Sequence, residues 1–133
     1  FKTGKGTAKW GGGSGWTGQP AIVRWPEHVR RSMPLLDRRA AAKPLVEVIQ
    51  GSLDGNVWFV DLETGRRTRP PLRTGNPIKG SVSLDPRGWP LLFVGQGIPG
   101  ARPIGLRAYS LISHEELLFL PGRERATIQG AGP

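Results

Sequence analysis

Two stretches of this chain repeat each other, and the repeat limits the folds available more than composition does. Leu45-Val46-Glu47-Val48-Ile49 reads as an apolar strand, Asp54-Gly55-Asn56 as a turn, Val57 to Leu62 as the returning strand, and Glu63-Thr64-Gly65 as a closing turn. Asp-Gly and Gly-Asn pairs between β-rich runs mark a hairpin, because glycine supplies positive φ without steric cost. Setting Gly51 on Gly95 gives an offset of 44, and setting Val57–Leu62 on Leu106–Leu111 gives 49. Gly18-Gln19-Pro20-Ala21-Ile22 resembles Gly80-Ser81-Val82-Ser83-Leu84, and Thr3-Gly4-Lys5 resembles Thr64-Gly65-Arg66, at offsets near 61.

A four-stranded unit of roughly 40–50 residues, repeated, is the mark of a β-propeller blade, which buries only one face by itself and needs neighbours. The expected fold is therefore all-β: antiparallel four-stranded blades of a propeller, open in this chain. Composition agrees, since 20 glycines and 13 prolines oppose long helices and suit short strands joined by turns. The expected division is 1–26 for the end of one blade and the start of the next, 27–43 for a basic insertion loop split by Pro34, and 44–77 for the rest of the first full blade. Residues 78–122 form a second blade, and 123–133 a further start or a tail. Further strands are expected at Gln19–Trp25, Ile78–Leu84, Trp89–Val94, Ile104–Ile112 and Glu116–Leu120, with Asp85-Pro86-Arg87-Gly88 as a type I turn. The chain starts at Phe1, and with about two blades where a closed ring takes 4–8 it is expected to be a piece of a longer protein, poorly soluble or oligomeric by itself.

Phe59-Val60-Asp61-Leu62-Glu63-Thr64-Gly65-Arg66, preceded by Gly51-Ser52 and Asp54-Gly55-Asn56-Val57, resembles the repeat of the PQQ-type (quinoprotein-like) propellers, whose blades run Ala-x-Asp-x-x-Thr-Gly-Lys-x-x-Trp. Lys79-Gly80-Ser81-Val82-Ser83 resembles the strand that opens each next blade. The likeness covers residues 17–26 and 44–120. It makes Gly51, Asp54, Gly55, Asp61, Thr64, Gly65, Gly80 and Gly95 structural repeat positions. The chain departs from the pattern where the family places its docking tryptophan, here Arg69. In the second unit the motif has decayed to Ala108-Tyr109-Ser110-Leu111-Ile112-Ser113-His114-Glu115, with Leu118 at the tryptophan position. Docking through tryptophan is not expected.

The resemblance implies a non-catalytic scaffold that binds a protein or polymer and packs against missing blades of the same propeller, in an extracytoplasmic or periplasmic location. No cofactor is expected within this chain. The alternative is a fragment of a quinoprotein oxidoreductase, with PQQ and calcium held by blades outside it. Asp54, Asp61 and Asp85 stand at turn positions, where aspartate bonds nearby amides. Glu115 and Glu116 point to opposite faces of a strand and cannot form a dyad. His28 and His114 read as surface histidines, and Ser14, Ser52, Ser81 and Ser83 lack a nucleophile elbow. Thr3-Gly4-Lys5-Gly6-Thr7 lacks the strand, helix and upstream glycine of a phosphate-binding loop. The absence of cysteine excludes disulfides and thiol chemistry.

A net charge of +9 would suit a polyanion, yet the arginines fall in loops and strand edges, where a solvated charge also deters edge pairing. Nucleic acid is thus the weaker expectation. Of the five tryptophans, Trp58 and Trp89 read as core, whereas Trp10, Trp16 and Trp25, with Arg30 and Arg31, are candidates for a ligand surface. No apolar run reaches the roughly 18–20 residues of a membrane helix.

Overall fold

The structure, a computed structural model, describes Gly4, Gly13 and residues 18–122. Alternating apolar residues and glycine-bearing turns produce eight strands: β1 (Ala21–Arg24), β2 (Val46–Gly51), β3 (Asn56–Asp61), β4 (Leu72–Arg73), β5 (Val82–Leu84), β6 (Leu91–Gln96), β7 (Gly105–Ser110) and β8 (Glu116–Pro121). They form two antiparallel four-stranded sheets, ordered β1-β2-β3-β4 and β5-β6-β7-β8, that do not close on each other's outer edges. None of the described helices is long and apolar enough to cross a membrane.

The repeat offsets coincide with the observed register. Ile49 pairs with Phe59 and Gly51 with Val57; at offsets of 44 and 49 these become Phe93 with Ala108 and Gly95 with Leu106, which also pair. Ala21 opposite Ile49 has its counterpart in Ser83 opposite Phe93. The two sheets are therefore the same unit built twice.

Equivalent faces point the same way, so the sheets stack front to back. In the first sheet Ile49, Val57, Phe59 and Leu72 are buried in the shared core with Leu92, Val94, Tyr109 and Leu111 of the second. Gly51 belongs to that face, and a Cβ there would lie 2.5 Å from Ile78 Cγ2 and 3.2 Å from Val82 Cγ1, so only glycine lets the second sheet approach this closely. Its repeat mate Gly95 has nothing within 4 Å of the same point. Leu106 and Leu120, the counterparts of Val57 and Leu72, are 39% and 49% exposed.

Residues 27–43, expected as an insertion loop with room for one or two helical turns, contain two short helical elements. Glu27–Ser32 form a short α-helix, α1, entered from Pro26, whose fixed φ suits a helix start. It stops at Met33, held extended (ψ 150) as a residue before proline tends to be. A 3-10 turn at Arg38–Ala42 follows, capped by Asp37 on the Arg39 amide. Met33 and Leu35 enter the core, so the segment covers the sheets instead of projecting from them. Pro70 and Pro71, lacking amide donors, reduce β4 to two residues beside the isolated bridge Val60↔Arg67.

Arg69 is fully buried, contrary to the solvated-edge expectation. Its Nε donates to Glu47 Oε1 (3.0 Å), one terminal nitrogen donates to Glu47 Oε2, and the other donates to the Leu111 carbonyl of the second sheet (2.7 Å). Glu47 also accepts from Trp25 Nε1 (2.8 Å) and the Thr68 hydroxyl. The guanidinium lies 4.2 Å from the Phe59 ring centroid. A planar cation with five fixed donors thus holds one sheet to the next.

Two sets of variants test these contacts by urea unfolding. Gly51→Ala is expected to cost about 1–3 kcal/mol by overpacking, while Gly95→Ala stays within about 0.5 kcal/mol of the parent. Glu47→Leu or Arg69→Leu alone leaves a buried charge and is expected to cost about 3–5 kcal/mol. The double variant should cost less than the sum of the two.

Candidate functional site

Trp89 lies where sequence reading put a core strand residue, yet it is 61% exposed. The turn Asp85-Pro86-Arg87-Gly88 closes through Gly88 N to Asp85 O (3.1 Å), with Gly88 at φ 87. Strand β6 starts only at Leu91. Pro90 carries no amide proton and restricts the residue before it, leaving Trp89 in the exit of the turn and out of the ladder. The Pro directly after Trp89 was the available signal, and the apolar run beyond it concealed that signal.

Beside Trp89 runs an open cleft of about 480 Å³ between α1 and this turn. Helix α1 supplies His28, Val29 and Ser32; the turn supplies Arg87, Trp89 and Pro90; Ile112 completes the lining. Arg87 is fixed, donating from Nε to Asp85 Oδ1 (3.0 Å) and from a terminal nitrogen to Oδ2 (2.7 Å), while Asp85 Oδ1 also accepts the Arg87 amide (2.8 Å). These bonds hold the Asp85 carboxyl below the usual range and raise the Arg87 guanidinium. On the solvent side of α1, Arg31 is paired with Glu27 and its hydrogen bond lowers the Glu27 pKa. Arg87 and Arg31 are each matched by a carboxylate, so the cleft offers an aromatic plane and N–H donors whose charge is paired.

The other candidates separate clearly. Trp25 is buried, its indole N–H on Glu47. Arg30 is buried too, donating to the carbonyls of Trp25 (2.5 Å) and Ala41 (3.0 Å), and so braces α1 against the 3-10 turn. Both are buried with their donors satisfied, Trp25 by Glu47 and Arg30 by the two carbonyls. Arg31 remains exposed, and Trp10, Trp16 and Ser14 lie outside the described residues. Trp58 is buried, donating to Asp54 Oδ2 (3.1 Å) with Arg67 over its ring. Of the repeat positions, Asp54 accepts the Asn56 amide (2.9 Å), and Asp61 accepts the Glu63 amide (3.1 Å) and the Thr64 hydroxyl (2.7 Å). Gly55 and Gly65 sit at φ 82 and 68, and a Cβ on Gly80 would meet nothing. Among the described residues no three His, Cys, Asp or Glu side chains gather as a metal site. A second hollow of about 580 Å³ includes Lys43, Arg66, Arg67, Asp37, Asp61 and Glu63, charges of both signs.

His114 is not the surface histidine expected. It takes the position of Gly65 at an offset of 49, with φ 62 against 68, and its amide bonds Ser110 O (2.9 Å) as Gly65 bonds Asp61 O (2.9 Å). The decayed motif thus keeps its turn. The ring stacks on Phe59 of the first sheet, centroids 5.6 Å apart, and its Nε2 is buried without a partner. Burial, and then the Arg69 charge, push its pKa down, with Glu47 opposing.

A base lowered in the folded state binds fewer protons there than when unfolded, so stability is lost as pH falls below the unfolded value of about 6.5. The urea midpoint is expected to fall between pH 7 and 5 more for the parent than for His114→Asn, since asparagine accepts the left-handed backbone. Equal slopes would remove His114 as the cause.

A scan of protein-family models and searches of curated proteins and of solved structures found no match, so the functional reading rests on the chain's own geometry.

Proposed function

We propose that this chain is part of a PQQ-type-like β-propeller that serves as a non-catalytic scaffold, with further blades on its outer sheet faces and the Trp89 cleft receiving a protein or polymer. The observation that carries this reading is the front-to-back stacking. Residues of the first sheet that are covered by the second have equivalents in the second of which Ala108 is buried while Phe93, Gly95, Leu106 and Leu120 are left half-covered or open by the described residues. Leu118, 45% exposed and paired with Ala108, belongs to the same face. A head-to-tail contact of this kind repeats until a ring closes. Blades added there would cover an apolar surface that is costly to leave in water.

Two measurements test the proposal. By sedimentation the chain alone is expected to self-associate, and Leu106→Lys with Leu120→Lys to restore a monomer with little change in melting temperature. A parent that sediments as a single monomer would contradict it. Addition of PQQ and calcium is expected to leave a redox dye unreduced; dye reduction would favour the oxidoreductase alternative.

A further inference from the structure

Resting on the binding role proposed for the Trp89 cleft, we infer that its occupant is a proline-rich peptide in the extended polyproline II conformation. The cleft and such a peptide match in both apolar shape and hydrogen-bonding sense. Proline has no amide hydrogen, so a proline-rich strand presents apolar rings and carbonyl acceptors and no donors from those residues. The cleft offers donors for those carbonyls. Its exposed indole carries an N–H donor, Arg87 keeps a terminal nitrogen beyond those that hold Asp85, and the hydroxyl of Ser32 makes only a long bond (3.4 Å) to His28 O. Both Asp85 oxygens already accept bonds from Arg87.

The remaining lining is the apolar Val29, Pro90 and Ile112 together with His28 and Gly88. A sugar brings hydroxyl donors as well as acceptors, and would have to strip them of water against these walls. A nucleic acid brings phosphates, but the local charges are cancelled by Asp85 on Arg87 and by Glu27 on Arg31. Prolyl rings stack on an indole, and the polyproline II helix is ordered before it binds, so a shallow groove with one aromatic anchor suffices.

The test uses the full chain and fluorescein-labelled, end-capped decaproline, followed by fluorescence anisotropy, with labelled cellohexaose and a labelled twelve-residue oligo-dT as parallel probes. Saturable decaproline binding that Trp89→Ala weakens by about tenfold or more is expected, with Arg87→Gln weakening it less. Trp89 is largely solvent-exposed, so its loss should leave the melting temperature near the parent's. No decaproline binding, or equal binding by the parent and Trp89→Ala, overturns the inference. If cellohexaose or oligo-dT instead binds in a Trp89-dependent way, the peptide assignment fails while the binding role survives. If none of the three does, both fail.

Discussion

The pair Glu47 and Arg69 sets the terms for the rest of the molecule. Both side chains are fully removed from water, which costs several kcal/mol per ion unless the lost hydration is replaced. Here it is replaced group by group. Arg69 spends its fork on the carboxylate and on Leu111 O, and Glu47 takes additional donors from Trp25 and Thr68. Because Leu111 opens the turn between β7 and β8, satisfying the guanidinium requires the two sheets to be together. An apolar tryptophan at that place would allow some sliding; a buried cation with directional donors does not.

Around that contact the sheets close like successive copies of one part. Gly51 admits Ile78 and Val82, and Phe59 receives Arg69 and His114. Where the second copy departs from the first, the departure occurs at the junction. His114 occupies a glycine's left-handed seat and uses its ring to cover Phe59, so the strain of a side chain at positive φ is offset by packing between sheets. The unpartnered Nε2 makes that arrangement sensitive to protonation.

The segment between β1 and β2 builds one side of the Trp89 cleft. Its helix is too short to be stable alone and is held by Met33 and Leu35 in the core and by Arg30 on two carbonyls. That anchoring raises one wall of a cleft whose other wall is the Asp85 turn. The cleft is thus a product of two loops fixed from beneath, a usual place for recognition on a rigid sheet scaffold.

The strands, the turns and the repeat were legible in the sequence, because period-two alternation, Asp-Gly turns and fixed spacing are local properties of the chain. The offsets of 44 and 49 even carried the cross-strand register. What could not be read locally was which side of each strand and which charge would be covered. Arg30 and Arg69 look like surface residues in sequence, yet both are buried, Arg30 on the Trp25 and Ala41 carbonyls of its own segment and Arg69 on Glu47 and the Leu111 carbonyl, far off in the chain. Trp89 looks like core and is left out, because Pro90 delays the strand. The sequence by itself determined the unit and its repetition; tertiary structure decided which charges are buried and what meets them, since the Arg69 guanidinium is satisfied in full only when the Leu111 carbonyl of the second unit reaches it.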